Sequence, residues 1–254
     1  MKKIIIKIEN VYKSFGNKNV LTGVNLEVFK GETLVIIGRS GCGKSVLLKL
    51  IIGLLKPDSG SIRIFGEETS HLSEEEMEGI RKKIGVVFQS SALLNSLNVE
   101  ENIALPLREH THLTQEEIQK RVEEKLSLVG LKGAENLYPD DLSGGMKKRV
   151  GIARALIMEP EIVLYDEPTT GLDPITASAI NTLIMELEKK LRTTSIVVTH
   201  DMKSAYLVGD RVGLLYQGKI VEIATPQNIQ KSKNPVVIQF ITGSHKGPIP
   251  VEEG

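Results

Sequence analysis

The chain is short of several features that would define other classes of protein. Its 254 residues include one cysteine, Cys42, and the 32 Lys and Arg residues balance 32 Asp and Glu residues. A single cysteine excludes an internal disulfide, and together with the balanced charge and the lack of a long apolar run it leads us to expect a cytosolic protein. The balanced charge gives no sign of a basic surface, so we expect no nucleic-acid partner. No apolar run approaches the roughly 20 residues that a membrane-spanning helix needs.

Hydrophobic residues make up 41% of the chain, which is sufficient for the core of a large α/β domain. The segment ETLVIIG, residues 32–38, is a continuous apolar run typical of a strand buried on both faces. Residues from about 95 to about 151 are mostly helical in pattern, and strands and helices alternate again after them. Ser73 with Glu76, and Thr114 with Glu117, predict two capped helix starts. We therefore predict a sheet domain with an inserted helical lobe.

The segment GRSGCGKS, residues 38–45, is called the phosphate loop below. It matches the pattern G-x-x-x-x-G-K-[ST] completely and lies between a predicted strand and a predicted helix. Its backbone N–H groups and the helix N-terminus favour a polyphosphate. We expect Lys44 to reach the outer phosphates and the Ser45 hydroxyl to bind Mg²⁺, whereas an ordinary glycine turn is disfavoured in this context. The residues predicted to bind ATP here are Gly38, Arg39, Ser40, Gly41, Cys42, Gly43, Lys44, Ser45 and Val46.

Polar side chains end three other apolar segments. IVLYDE ends in Asp166 and Glu167, TSIVVTH ends in His200, and IGVVFQ ends in Gln89. The carboxyl ends of strands are where α/β sheets bind ligands. Because adjacent strand residues face opposite sides, we expect Asp166 to bind Mg²⁺ and Glu167 to polarise the attacking water. His200 is predicted to contact the γ-phosphate and Gln89 to face Mg²⁺ or the water. Each of these residues alone would more often be a solvent-exposed strand end.

The order of these motifs resembles a known family. GRSGCGKS, FQ, LSGGM, IVLYDE, GLDP and TH together resemble the ATP-binding subunit of an ATP-binding cassette (ABC) transporter, over about residues 11–223. The resemblance implies an α/β fold of the P-loop NTPase type, with a RecA-like core, an N-terminal antiparallel β subdomain and an inserted α-helical subdomain. It implies an ATPase domain at residues 1–241, with the helical subdomain at about 95–151, and a C-terminal tail at residues 242–254.

Pairing of subunits is also implied by the resemblance. In this family two subunits associate head to tail, and each ATP lies between the phosphate loop of one and the LSGGM-type signature of the other. Ser143, Gly144 and Gly145 would thus bind the ATP of a second copy of the chain. Met146 replaces the commoner Gln and leaves these three residues intact, so we expect activity to be retained. Asp173, in GLDP, belongs to the family's D-loop and is counted as nucleotide-binding.

The adenine-stacking aromatic of the family corresponds to Phe15, and Tyr12 is a nearby alternative. The implied catalytic residues are Lys44, Gln89, Glu167 and His200, with ATP and Mg²⁺ as cofactors. The implied Mg²⁺ ligands are Ser45, Gln89 and Asp166.

Several longer stretches resemble one branch of the family more closely. GKSVLLK, LSGGMKKRVGIARA, DEPTTGLDPI, THDM, SLNVEENIALPL and QFITGSHKGPI resemble the ATPase of MCE-associated phospholipid transporters of the maintenance-of-lipid-asymmetry type. This branch implies a peripheral protein at the cytoplasmic face of the inner membrane, with permease subunits and an MCE-domain lipid-binding protein as partners. The branch also suggests that the tail joins paired subunits, although its polar composition equally fits a disordered terminus.

Three alternatives stay open at this point. An ABC importer for a small solute, such as an amino acid or an ion, would have a nearly identical core. A soluble ABC-type ATPase acting on DNA or ribosomes would need coiled-coil insertions or a second cassette, which the sequence does not contain. A non-catalytic nucleotide-binding module is disfavoured by the combination of Lys44, Asp166, Glu167 and His200.

Overall fold

The structure, a computed structural model, describes residues 2–250 of the chain. The chain forms two compact units: residues up to Leu72 with those from Val197 onward, and Ser73–Ile196. In chain order the elements are β1 (Ile4–Phe15), β2 (Lys18–Phe29), β3 (Thr33–Ile37), α1 (Lys44–Ile51), β4 (Ser59–Ile64), β5 (Glu67–Glu68), α2 (Glu74–Arg81), β6 (Ile84–Val87), α3 (Val99–His110), α4 (Gln115–Leu128), α5 (Gly144–Leu156), β7 (Ile162–Asp166), α6 (Pro174–Leu191), β8 (Thr194–Thr199), α7 (Met202–Val208), β9 (Arg211–Tyr216), β10 (Lys219–Ala224), α8 (Pro226–Ile229) and α9 (Pro235–Thr242).

The first unit contains an antiparallel sheet with the strand order β2-β1-β4-β5. β1 pairs with β2 on one side and with β4 on the other, both antiparallel. Ile6 and Ile8 of β1 are buried, while Lys7 and Glu9, which alternate with them, are partly exposed. One face of this sheet therefore packs on the core, as expected for an antiparallel sheet. The N-terminal antiparallel part of the predicted fold is confirmed.

The same unit contains the strand that leads into the phosphate loop. β3 is buried along its whole length and pairs in parallel with β9, which pairs antiparallel with β10. An ion pair ties the starts of β3 and β9 together: Arg211 Nη2 lies 2.6 Å from Glu32 Oε1, and Arg211 Nε lies 3.0 Å from Glu32 Oε2. The Thr33 N–H also donates to Asp210 Oδ2 at 2.9 Å. These bonds fix the strand whose far end carries the phosphate loop.

The second unit combines parallel strands with helices. β6 pairs in parallel with β7, and α3, α4 and α5 contact one another. Both predicted capping boxes are present, with Ser73 capping α2 and Thr114 capping α4. The helices lie where the sequence predicts a helical lobe, and the limits of that lobe at about 95–151 stay a prediction. Among residues 2–250, no helix is both long enough and apolar enough to cross a membrane.

The described part of the tail belongs to the first unit and contacts α9 and β9. The buried Gln239 side chain donates to the Ile249 carbonyl at 3.0 Å and accepts from the Ile249 N–H at 2.6 Å. The Tyr216 hydroxyl donates to the Pro248 carbonyl at 3.4 Å. Residues 251–254 of the predicted tail lie outside the described residues.

Candidate active site

The phosphate loop occupies the turn between β3 and α1 in the first unit. Gly41 and Gly43 have φ values of 75° and 107°, in the left-handed region that side chains rarely adopt. A Cβ atom on Gly43 would lie 2.9 Å from Leu21 Cδ2 and 3.0 Å from Val20 Cγ1. Both the backbone conformation and the packing therefore require glycine at position 43, immediately before the helix.

Lys44 is the first residue of α1, and its side chain folds back over the loop. The residue is 6% exposed, and its Nζ donates to the Gly38 carbonyl at 2.8 Å and to the Arg39 carbonyl at 3.2 Å. Gly43, the N-cap, has no side chain with which to satisfy the N–H groups of the first turn. The ammonium group and these N–H groups together make the start of α1 an anion-binding position.

His200 and the two candidate aromatic residues also belong to the first unit. His200 follows the last residue of β8 and is exposed. Phe15 ends β1 and is 46% exposed, with Lys13 Nζ 5.6 Å from the centroid of its ring. Tyr12 is 45% exposed, and its hydroxyl lies 2.9 Å from where a Cβ on Gly23 would be. Both rings are accessible, so the assignment of the adenine-stacking residue stays a prediction.

Asp166 and Glu167 end the β7 segment in the second unit. Asp166 is the last strand residue and is half-buried, whereas Glu167 is 7% exposed and has a φ of 48°. Because Glu167 lies outside the strand, the alternation of strand side chains does not apply to this pair. The chain instead turns at Glu167 itself, whose φ is in the left-handed region. The Glu167 side chain is held by the Thr170 hydroxyl, which donates to its Oε2 at 3.1 Å.

Gln89 begins a strained turn, called the Gln89 segment (residues 89–92). β6 ends at Val87, so Gln89 lies two residues beyond the strand, with an exposed side chain. Ser91 and Ala92 have φ values of 62° and 47°, a region that costs most non-glycine residues about 1–3 kcal/mol. Arg154 of α5 holds this backbone, because its guanidinium donates to the Ser91 carbonyl at 2.6 Å and to the Ala92 carbonyl at 2.8 Å.

Lys148 is a residue of this region that the sequence analysis did not single out. It is 5% exposed, and its Nζ donates to the Gln89 carbonyl at 2.5 Å and to the Glu167 carbonyl at 3.4 Å. Burial lowers the pKa of Lys148, while the charges of Glu167 and Asp166 act to raise it. Within the run KKR, nothing in the sequence distinguishes this lysine from a solvent-exposed one.

The signature glycines lie in the first turn of α5, whose N-cap is Ser143. The Ser143 hydroxyl accepts the Met146 N–H at 3.3 Å. A Cβ on Gly144 would lie 3.2 Å from Leu172 Cδ2, and one on Gly145 would lie 2.7 Å from Thr176 Cγ2. The two glycines therefore allow the segment around Asp173 to approach α5 closely.

The Asp173 side chain caps the N-terminus of α6. It is the N-cap of α6, and its Oδ1 accepts the Ile175 N–H at 2.9 Å and the Thr176 N–H at 3.1 Å. Hydrogen bonds from Thr176 lower the pKa of Asp173, which is solvent-exposed. Within the second unit, the structure thus brings Gly144 and Gly145 against Leu172 and Thr176, which lie on either side of Asp173.

The strand, glycine loop and helix of the first unit, with the Lys44 ammonium over the loop, define a P-loop nucleotide-binding protein. Comparison with known proteins gives the family. The model of the ABC transporter family matches residues 21–170. The chain is 43% identical over 250 residues to the probable ribonucleotide transport ATP-binding protein Mkl of Mycobacterium leprae, which covers 98% of this chain and 72% of that protein.

Two further similarities agree with this match. The intermembrane phospholipid transport system ATP-binding protein MlaF of Escherichia coli strain K12 is 39% identical over 246 residues, 97% of this chain and 91% of that protein. A solved structure of the ATP-binding cassette MJ0796, dimeric and bound to ADP and Pi, is similar with a TM-score of 0.80 and 37% identity, covering 87% of this chain and 99% of that chain. The chain belongs to the ABC transporter family and is an ABC-type ATPase, and the predicted fold class is confirmed.

Proposed function

We propose that the chain hydrolyses ATP as a head-to-tail dimer and thereby drives transport of phospholipid or a related lipid through a membrane permease. The observation that carries the ATPase part is the Lys44 ammonium, held over the phosphate loop by the Gly38 and Arg39 carbonyls. The lipid part is supported by the similarity to MlaF along nearly the whole of both chains. The working position would be the cytoplasmic face of the inner membrane, in peripheral association with the permease.

In this proposal the phosphates of ATP bind to the N–H groups at the start of α1 and to Lys44. Phe15 would stack on the adenine. Mg²⁺ would be held by Ser45, Gln89 and Asp166, which are oxygen donors of the kind that Mg²⁺ prefers. When bound, the ion would neutralise charge on the phosphate oxygens.

Hydrolysis would depend on Glu167. Its carboxylate is buried and is oriented by the Thr170 hydroxyl at 3.1 Å, which fixes the direction in which it can accept a proton from water. Gln89 would orient the same water through its neutral amide. Lys44 and His200, with Ser143 from a second copy of the chain, would stabilise the negative charge that develops on the transferring phosphoryl group.

The second copy of the chain is supported by the dimeric state of the similar MJ0796 cassette. Ser143 and the two glycines after it lie at the N-terminus of a 13-residue helix, α5, which favours an anionic ligand. In the head-to-tail arrangement this anion is the γ-phosphate of the ATP bound by the other copy. The tail would add contacts between the two copies.

A groove of the second unit is the surface that we propose for the permease. It has a volume of about 570 Å³ and runs beside the Gln89 segment. Phe88 and Leu94 line it and are 39% and 46% exposed, and Leu105, Pro106 and Met158 are among its other apolar lining residues. A short permease helix with apolar residues would cover these side chains. Because the groove lies beside the Gln89 segment, a shift of Gln89 would displace that helix. An MCE-domain lipid-binding protein would be a further partner.

A small-solute transporter is the second candidate, because the Mkl protein carries the name of a probable ribonucleotide transport protein. Partner identity separates the two candidates. We would tag the chain at its N-terminus, isolate it from its native membranes in mild detergent and identify its partners by mass spectrometry. A permease with an MCE-domain protein supports lipid transport. A permease with a solute-binding protein overturns it in favour of a small solute, and the absence of any membrane protein contradicts the transporter assembly.

The hydrolytic mechanism has its own test in Glu167→Gln. Loss of the proton acceptor should reduce ATP turnover by roughly 10²–10⁴-fold, while ATP affinity stays near the unmodified value. Turnover would be measured by phosphate release and affinity by equilibrium binding. Glu186→Gln, an exposed change of the same chemistry on α6, is the matched control and should behave like the unmodified chain. Turnover near normal in Glu167→Gln would remove Glu167 from its proposed role.

A further inference from the structure

The Lys148 ammonium joins two segments that follow neighbouring strands. Gln89 comes shortly after β6 and Glu167 directly after β7, and these strands pair in parallel. Lys148 Nζ lies 2.5 Å from the Gln89 carbonyl oxygen and 3.4 Å from the Glu167 carbonyl oxygen. One buried cation therefore fixes the main chain of both proposed hydrolytic residues at once.

Both segments held in this way have strained backbones. Ser91, Ala92 and Glu167 are three of the non-glycine residues with positive φ, at 62°, 47° and 48°. Such conformations persist only where the surroundings enforce them, and they concentrate at functional sites. Gly151 of α5 leaves the room that Ser91 needs, because a Cβ there would lie 3.3 Å from Ser91 Cβ.

We propose that Lys148 is a positioning residue for hydrolysis, which couples the N-terminus of α5 to the main chain at Gln89 and Glu167. The inference rests on the proposed function. Ser143 caps the same helix about 7.5 Å from Lys148 along the axis, at 1.5 Å per residue. A rigid helix passes a shift at Ser143 to Lys148. In the head-to-tail dimer, α5 therefore links the nucleotide bound by one copy to the hydrolytic residues of the other.

This role differs from that of other cations on the same helix. Arg149 also donates to a main-chain carbonyl, that of Val129 at 2.7 Å, but this contact lies at the end of α4 and away from both hydrolytic residues. Lys147 is adjacent to Lys148 and half-exposed. Changes at Lys147 and Arg149 therefore remove a cation from α5 without touching Gln89 or Glu167, which makes them matched controls.

The test compares Lys148→Met, Lys148→Arg, Lys147→Met and Arg149→Met in the full chain. ATP turnover would be measured against ATP concentration, and the thermal unfolding midpoint of each variant would be recorded. For Lys148→Met we expect kcat to fall about tenfold or more with KM changed less than about threefold. We also expect the Hill coefficient for ATP to fall toward one, because the two sites lose their coupling. Lys148→Arg keeps the charge and the donors and should recover most of the kcat.

Two results would overturn the inference: a kcat for Lys148→Met within about twofold of the unmodified chain, or equal kcat losses in the Lys147 and Arg149 controls. If Lys148→Met does not fold, Lys148→Gln replaces it as a neutral donor. A kcat for Lys148→Gln well below that of Lys148→Arg then supports positioning, and equal values contradict it.

Glu167→Gln, measured alongside, separates this inference from the proposed function. If Glu167→Gln is inactive and Lys148→Met has normal kcat and cooperativity, the inference alone fails. If Glu167→Gln turns over normally, the proposed hydrolytic role itself fails.

Discussion

The chain has two glycine-bearing helix starts, and they are built in opposite ways. At α1 the N-cap is Gly43 in the left-handed region, with no side chain to satisfy the first turn. At α5 the N-cap is Ser143 in an extended conformation, and its hydroxyl accepts the Met146 N–H. The glycine of α1 lies before the helix, whereas Gly144 and Gly145 lie inside α5. The start of α1 therefore has no side-chain cap, whereas the start of α5 is capped by its own serine.

Under the proposed function, this difference accounts for the presence of both helix starts in one ATPase. In that proposal the start of α1, with the Lys44 ammonium above it, would surround the phosphates of the ATP bound by the same chain. The start of α5 uses its glycines for another purpose, since Cβ atoms there would meet Leu172 and Thr176. The start of α5 has the Ser143 hydroxyl and a helix N-terminus, and its glycines pack closely on Leu172 and Thr176. In the proposal, this helix start contacts a nucleotide bound by another copy of the chain.

The largest effect that this comparison predicts is at Lys44. Lys44→Ala removes the charge at the start of α1 and should reduce ATP turnover by roughly 10²-fold or more, because a donor to the transferring phosphoryl group is lost. Phosphate release against ATP concentration would measure this loss. Lys49→Ala, an exposed lysine on the same helix, is the matched control and should leave turnover unchanged. Equal losses in both variants would show that α1 as a whole, and not the ammonium group, is responsible.

Alanine substitutions at the two helix starts should change the free energy of unfolding by different amounts. Gly43→Ala forces a side chain into a left-handed conformation and against Leu21 and Val20, so we expect a loss of about 1–3 kcal/mol in the free energy of unfolding. Gly144→Ala is helical and meets only Leu172 at 3.2 Å, so we expect a loss below about 1 kcal/mol. Denaturant unfolding would measure both. The reverse order would contradict the assignment of Gly43 to the strained position.

The cap of α5 predicts a smaller effect. Ser143→Ala removes the acceptor for the Met146 N–H and should lower the free energy of unfolding by about 1 kcal/mol. Ser143→Thr keeps a hydroxyl and should lose less. Thermal unfolding of the unmodified chain and the two variants would give the order of stability. A loss of stability in Ser143→Thr as large as that in Ser143→Ala would argue against the capping bond.

The smallest effect concerns pH and the charged cap of α6. The pKa of Asp173 is lowered below its usual 3.8 by hydrogen bonds from Thr176. A carboxyl with a depressed folded-state pKa stabilises the fold at pH values above 3.8, and this contribution is lost as the pH falls through the folded-state pKa.

Asp173→Asn keeps a capping side chain without the charge. The unfolding midpoint of Asp173→Asn should be lower than that of the unmodified chain at neutral pH, and this difference should shrink below pH 3.8. The corresponding difference for Ser143→Ala should not change with pH, because a hydroxyl does not titrate. A deficit of Asp173→Asn that stays constant on acidification would count against the charged cap.

Local patterns allowed a large part of the fold to be predicted. The apolar run before the phosphate loop became the fully buried β3, and Ser73 and Thr114 cap the helices that their capping boxes predict. These signals work because they depend on residues close together in the sequence. The family could be predicted from similarly local signals, because its motifs are short and occur in a fixed order. The comparisons with known proteins confirmed this prediction.

The features that escaped prediction depend on tertiary contacts. From the sequence Lys148 would be expected at the surface, yet it is buried, and its ammonium group donates to two main-chain carbonyls that follow β6 and β7. The strand alternation expected to separate Asp166 from Glu167 is replaced by a turn, because β7 ends one residue earlier than the apolar pattern with its acidic pair suggests. The polar tail gave no sign that the buried Gln239 side chain would hold Ile249.

The contact between Arg39 and Pro250 has a practical consequence for how this protein is handled. The Arg39 guanidinium donates to the Pro250 carbonyl at 2.8 Å, so the last described residue lies directly beside the phosphate loop. A bulky group attached at residue 250 would therefore lie close to the phosphate loop and disturb the kinetics it is meant to reveal. By the same proximity, a small environment-sensitive dye placed near Pro250 would report nucleotide binding by a change in its emission, without a labelled nucleotide.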